Sequence, residues 1–197
     1  MDTVFHGKIG KILGLELISK GYLIDIKSFI RGNMLPHILP KYRFSMHEKK
    51  GNYKDVKILI KELMQKKLDN KELSKKLGII THYLCDFFTF PHNENYKKSI
   101  ISHEIYERFQ RHYMKNRLNE IWEKYNEECK VKINTMEDIL KYIDDMHSIY
   151  MVKESTKERD VIFASILIRV VNFSILSIIN SSEEITTEKV IRKLNVV

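Results

Sequence analysis

Residues 77–107 read LGIITHYLCDFFTFPHNENYKKSIISHEIYE, and they hold three of the chain's eight histidines. His82 and Asp86 stand four residues apart, as do His103 and Glu107. On a helix, positions i and i+4 lie one above the other on the same face. Each pair therefore presents an imidazole and a carboxylate together, the two ligand types that catalytic zinc takes while keeping an open position. Pro91 separates the halves, because it disfavours helix at the residue before it and cannot donate a backbone bond. His92 follows it at the corner, within reach of either pair. By spacing alone, these five residues could serve one metal or two.

Working outward, the chain reads as helices throughout. Seven glycines and three prolines in 197 residues are too few for the frequent turns of an all-β fold. The length suits one domain, 1–197, with a substantial core, although two small domains also fit. The apolar pattern of residues 8–31 suits one helix, with a break at Gly21 allowed. Residues 32–45 carry two prolines within five residues and are predicted as loop. Helices are expected at 52–67, at 71–90 after an Asp69 cap, at 96 or 99 to 128, and at 135–151 with Thr135 as cap and Asp138 three residues on. Another is expected at 157–179, and a last short one at 182–194. The apolar run 161–179 approaches the length of a bilayer span, but Arg169 at its centre favours the central helix of a bundle.

A formal charge of +8 favours anionic partners such as phosphate esters, nucleic acid or an acidic membrane face, and equally describes a lysine-rich solvated surface. Two cysteines make no disulfide framework, and Cys85 within an apolar helix pattern is expected to be buried. Residues 1–21 lack the long apolar stretch and cleavage site of a secretory signal, so a cytoplasmic protein is expected, with peripheral membrane contact left open. His103 to Glu107 reads HEIYE; it lacks the second histidine of the zinc-protease motif H-E-x-x-H. There is no His-Asp dipeptide, no E-x-x-H pair of a di-iron bundle, and no phosphate-binding glycine loop or nucleophile elbow. Phe87, Phe88 and Phe90 are expected to pack beside the site.

His82, Asp86, His92, His103 and Glu107, in the order H-x-x-x-D-x-x-x-x-x-H then H-x-x-x-E, resemble the ligand pattern of the bacterial zinc-dependent phospholipase C family, a relative of the P1-type nucleases. The text LGIITHYLCDFFTFPHN is similar as well, and the resemblance covers roughly the first 110 residues. It implies an all-α, multi-helix bundle with the metal site in a cleft between helices. Carried over residue by residue, it implies that His47, His82 and Asp86 surround one zinc, with His37 where the family has an aspartate. It implies that Asp86 bridges to a second zinc also held by His6, and that His92, His103 and Glu107 hold a third. In the family a free N-terminal amine completes the second site, a place that Met1 would have to fill here. The implied activity is zinc-dependent phosphodiester hydrolysis with two to three zinc ions, a metal-activated water attacking phosphorus, and Asp86 and His37 as the catalytic candidates. A phospholipid or another phosphodiester is the implied substrate. A P1-type single-strand nuclease and a non-enzymatic or degenerate metal-binding helical protein are the alternatives; nucleic acid is the less favoured partner.

Overall fold

A computed structural model describes residues 1–39, 48–94, 96 and 99–194, with side chains through residue 181. Among the described residues there are eight α-helices and no strand. In chain order they are α1 (Thr3–Ser19), α2 (Ile26–Ile38), α3 (Lys49–Gln65), α4 (Asn70–Phe87), α5 (Ile100–Met114), α6 (Leu118–Lys124), α7 (Met136–Met151) and α8 (Lys157–Leu194). Single 3₁₀ turns at Phe90–His92 and Glu127–Cys129 link α4 to α5 and follow α6.

Side-chain oxygens satisfy the orphan amides at most helix starts. Asp2 accepts from Phe5 N at 2.9 Å, Asp25 from Ser28 N at 2.8 Å, and Asp69 from Glu72 N at 2.9 Å. Thr135 accepts from Asp138 N at 3.1 Å, as its spacing from Asp138 predicts. Gly21 ends α1 with a positive φ of 88°, and Tyr22 N returns to Leu17 O at 3.1 Å. The break allowed at Gly21 is present, so residues 8–31 belong to two helices that turn back on one another.

Three expectations are corrected. Residues 32–38 are helix, not loop: Pro36 lies in the last turn of α2, where losing one amide costs a single hydrogen bond and the chain is about to leave the helix anyway. The helix expected to run to 128 stops at Met114 and restarts at Leu118. No glycine or proline marks that turn; Arg117 covers the Tyr113 ring at 4.1 Å, and Leu118, Ile121 and Trp122 reach the core. The break expected before 182 is absent, because Ser181 Oγ donates back to Ser177 O at 2.9 Å instead of capping a new helix.

α8 is the central helix, packed against α3, α4, α5, α6 and α7. Val161, Ala164, Leu167, Ile168, Val171 and Ile175 are fully buried along it. It is long and apolar enough to cross a membrane, yet 67% of its apolar window is buried inside the protein. Arg169 ends in the core: it donates to Glu16 Oε1 at 2.5 Å, Trp122 O at 3.0 Å and Asn126 Oδ1 at 2.6 Å. Every part of the guanidinium fork has a partner, which is what makes its burial affordable.

α2 and α4 touch backbone to backbone. A Cβ on Gly78 would stand 2.2 Å from Phe29 O, and one on Gly32 would stand 2.1 Å from Lys75 O. Only hydrogen fits at either position. This contact seats the C-terminal end of α2 beside the last two turns of α4.

Candidate metal centre

Four elements meet at Asp86, in the last turn of α4. Its carboxylate is fully buried. His82 Nε2, one turn back on α4, lies 3.1 Å from Oδ2, and His6 Nε2 of α1 lies 3.1 Å from Oδ1. His37 of α2 is more distant, with Nε2 3.9 Å from Oδ2. The His6 and His82 rings stack with centroids 3.9 Å apart, and His37 meets both edge-on. One ligand atom from each of His6, His37, His82 and Asp86 lies within 4.8 Å of the others, as a metal ion requires.

A second group, His92, His103 and Glu107, meets the same condition. Glu107 Oε1 is 2.9 Å from both His92 Nε2 and His103 Nε2. The two groups adjoin, with His92 Nε2 3.7 Å from Asp86 Oδ1. Between them lies the α-amine of Met1, 2.6 Å from Asp86 Oδ1 and 2.9 Å from Glu107 Oε1.

The electrostatics suit a cation. Burial pushes His6 and His92 down to about 4 and His82 well below its usual range, so the rings are neutral and their lone pairs available. Burial works against the Asp86 carboxylate, but His92, the Met1 amine, His6 and His82 outweigh it and hold its pKa well below the usual range. Glu107 is held down in the same way, against burial, by the Met1 amine, His103 and His92. Burial likewise opposes the charge on the Met1 amine, but Asp86 and Glu107 raise its pKa to about 11. His6 Nδ1 is a buried nitrogen with no hydrogen-bond partner among the described residues. Neutral imidazoles crowded on ionised carboxylates are a donor set short of positive charge. The residues present therefore fit divalent cations.

Outer contacts aim the ligands. His82 Nδ1 donates to Asn33 O at 2.8 Å, which turns Nε2 toward Asp86. Asn33 Nδ2 in turn donates to His6 O at 2.7 Å, tying α1 to α2 behind the site. The second group is held by Asp160, in the first turn of α8. Its carboxylate accepts from Phe90 N at 3.0 Å, Tyr106 Oη at 2.8 Å, Gln110 Nε2 at 3.2 Å and Tyr150 Oη at 2.7 Å, and from Ser155 Oγ. Burial raises its pKa against these donors. One buried carboxylate thus joins the turn that carries His92 to the helix that carries His103 and Glu107.

A profile of zinc dependent phospholipase C matches residues 7–157. The chain belongs to the zinc-dependent phospholipase C family. The match extends past the first 110 residues to the start of α8, so α5, α6 and α7 belong to the family likeness too. No curated protein and no solved structure matches the chain.

The structure brings together seven of the residues singled out in the sequence: His6, His37, His82 and Asp86 in one group, and His92, His103 and Glu107 in the other. His47 lies outside the described residues. Asn33 and Asp160 carry no motif of their own, and only the folded contact reveals them. Half-buried His147 was legible only as one more histidine; it lies 3.1 Å from Asn93 Oδ1 and shares a lysine-walled groove of about 560 Å³ with His92.

Proposed function

We propose that this chain is a zinc-dependent phosphodiester hydrolase of phospholipase C type. The observation that carries the reading is the pair of adjoining buried ligand groups with Asp86 at their junction. His6, His82 and Asp86 would hold zinc in the inner group, with His37 as a further ligand and His47 a candidate from the undescribed segment; His92, His103 and Glu107 would hold it in the outer group. Zinc bound there supplies Lewis-acid stabilisation of phosphoryl charge and a water of near-neutral pKa.

The protein's own part is positioning and charge. Asp86 meets His82 through Oδ2 and His6 through Oδ1, and would serve zinc on both sides of its carboxylate. The Met1 amine lies on the same carboxylates, and its positive charge occupies the place of a cation at that junction. His37 and His103 are the ligand-group rings with solvent access, at 20% and 28% side-chain exposure, so a substrate phosphate approaches past them. His37, the most distant ring of the inner group, is the proposed catalytic partner of Asp86 in this reading. Lys49, Lys50, Lys54 and Lys57 line the groove beside His92 and suit an anionic ester. The helices bearing both groups pack directly or through α4 on α8, which supports one domain over 1–197.

Elemental analysis of purified, zinc-supplemented protein is expected to find about two to three zinc per chain. The loaded protein is expected to hydrolyse a chromogenic phosphodiester, and phospholipid in preference to single-stranded DNA. Less than about half an equivalent of zinc would sink the proposal. Preference for DNA would move the activity to the nuclease reading.

A further inference from the structure

α5 presents an unusual outer face. Its inward residues Glu107, Gln110 and Met114 are buried. Its outward stripe, which in a helix of a soluble protein is normally polar, is instead Ile101, Ile105, Phe109 and Tyr113, spaced i, i+4, i+8, i+12 and exposed by 71%, 49%, 61% and 43%. Ile100, at the helix start, is 80% exposed. Scattered exposed apolar residues are ordinary, whereas a continuous stripe marks a contact surface. Exposed Val4 of α1 adjoins it across a groove of about 810 Å³ that Ile105 and Phe109 also line.

The rim of this groove is basic. Lys8, Arg108, Arg111 and Lys115 border it, with His112. Of the acids near it, Asp2 is paired with Arg111 at 3.1 Å, and Glu104 is the exposed acid of α5. An apolar stripe flanked by cations is the composition of a helix that lies in the boundary of an anionic bilayer, its apolar residues among the acyl chains and its cations at the head groups.

We propose that the outer face of α5, with the start of α1, docks on the surface of an anionic phospholipid bilayer. A second copy of the chain is a poorer occupant. A two-fold contact through this stripe would set the cationic rim of one copy, Arg108 and Lys115 included, against the cationic rim of the other. The docking needs no metal, but its purpose rests on the phospholipase reading: the helix that would lie on the bilayer also carries His103 and Glu107 of the outer ligand group, on the side turned to the protein.

The test is co-sedimentation of the full zinc-loaded chain with vesicles. Wild type is expected to sediment with phosphatidylcholine vesicles containing phosphatidylglycerol, to bind pure phosphatidylcholine much more weakly, and to be released by high salt. Ile105→Ser with Phe109→Ser, and separately Arg108→Glu with Lys115→Glu, are each expected to weaken the partition by at least about tenfold. Their turnover of a soluble chromogenic phosphodiester is expected to stay at the wild-type level. Equal binding to neutral and anionic vesicles, or wild-type binding by both double variants, would overturn the proposal. So would a lipid-free dimer, seen by light scattering, that Ile105→Ser with Phe109→Ser dissociates. Failure of the two readings is distinguishable: vesicle binding without any phosphodiester turnover removes the hydrolase and keeps the docking. Turnover of the soluble ester by a protein that stays in the supernatant does the reverse.

Discussion

Asp86 shows how much one side chain decides here. A carboxylate with no solvent exposure is tolerable only beside compensating charge, and the imidazoles around it are held neutral by their own burial. Removing either half of the His82–Asp86 pair should therefore empty the inner group. His82→Ala and Asp86→Asn are expected to lower zinc content and to reduce phosphodiester turnover by at least about a hundredfold, as checked by elemental analysis and kinetics on protein whose circular dichroism is unchanged. Either variant keeping its zinc and its turnover would remove that residue from the site. The pair was legible in the sequence, because i and i+4 on one helix must share a face whatever the rest of the chain does. His103 with Glu107 was legible for the same reason. His6 and His37 were not: each is a single histidine on its own helix, and only the resemblance to a family pointed to them. The Met1 amine between Asp86 and Glu107 depends on how α1 docks, which no local pattern encodes.

Among the elements, the turn at Phe90–His92 and α5 carry the outer group and owe their relation to α8. Asp160 accepts from Phe90 N and Tyr106 Oη, so one carboxylate sets the spacing of His92 from Glu107. Asp160→Asn keeps the shape but replaces one acceptor oxygen with an amide that must donate. It is expected to cost about 3 kcal/mol of stability and to remove the outer zinc while leaving the inner group loaded. Melting curves and zinc stoichiometry check this together; a lower melting temperature with full zinc content would make Asp160 a structural residue only. The starts of α4 and α7 are legible in the sequence, since Asp69 and Thr135 act through their own next turn, whereas the Asp2 and Asp25 caps of α1 and α2 are not among the sequence expectations. Helix ends are less legible, although α7 stops at Met151 as expected. Pro36 reads as a loop signal although a proline in a last turn removes little, and the Met114–Leu118 break has no glycine or proline because tertiary contacts of Leu118, Ile121 and Trp122 make it.

For the molecule as a whole, the buried histidines set the pH range of stability. His6 and His92 titrate near 4 when folded and at the usual 6.5 when unfolded. Between those values the unfolded chain binds more protons, so stability falls as pH drops below 6.5, until the folded rings take up their own protons near 4. Each ring contributes on the order of 3 kcal/mol at most across that window. Metal-free protein is expected to lose melting temperature steadily over this range, and loaded protein to release zinc there, because protons compete for the same nitrogens. A melting temperature that stays flat from about pH 6.5 to about pH 4 would contradict the burial of these rings. The sequence by itself determined the helical class, the core character of α8 and the two ligand pairs, because helical periodicity and i, i+4 spacing are local properties of the chain. Only the tertiary structure decided that His6, His37 and His92 converge on Asp86, that Arg169 finds Glu16, and that α5 turns an apolar stripe outward beside the site. Those are contacts between residues far apart in the chain, and they exist only where backbones such as Gly32 and Gly78 pack close enough to bring the helices together.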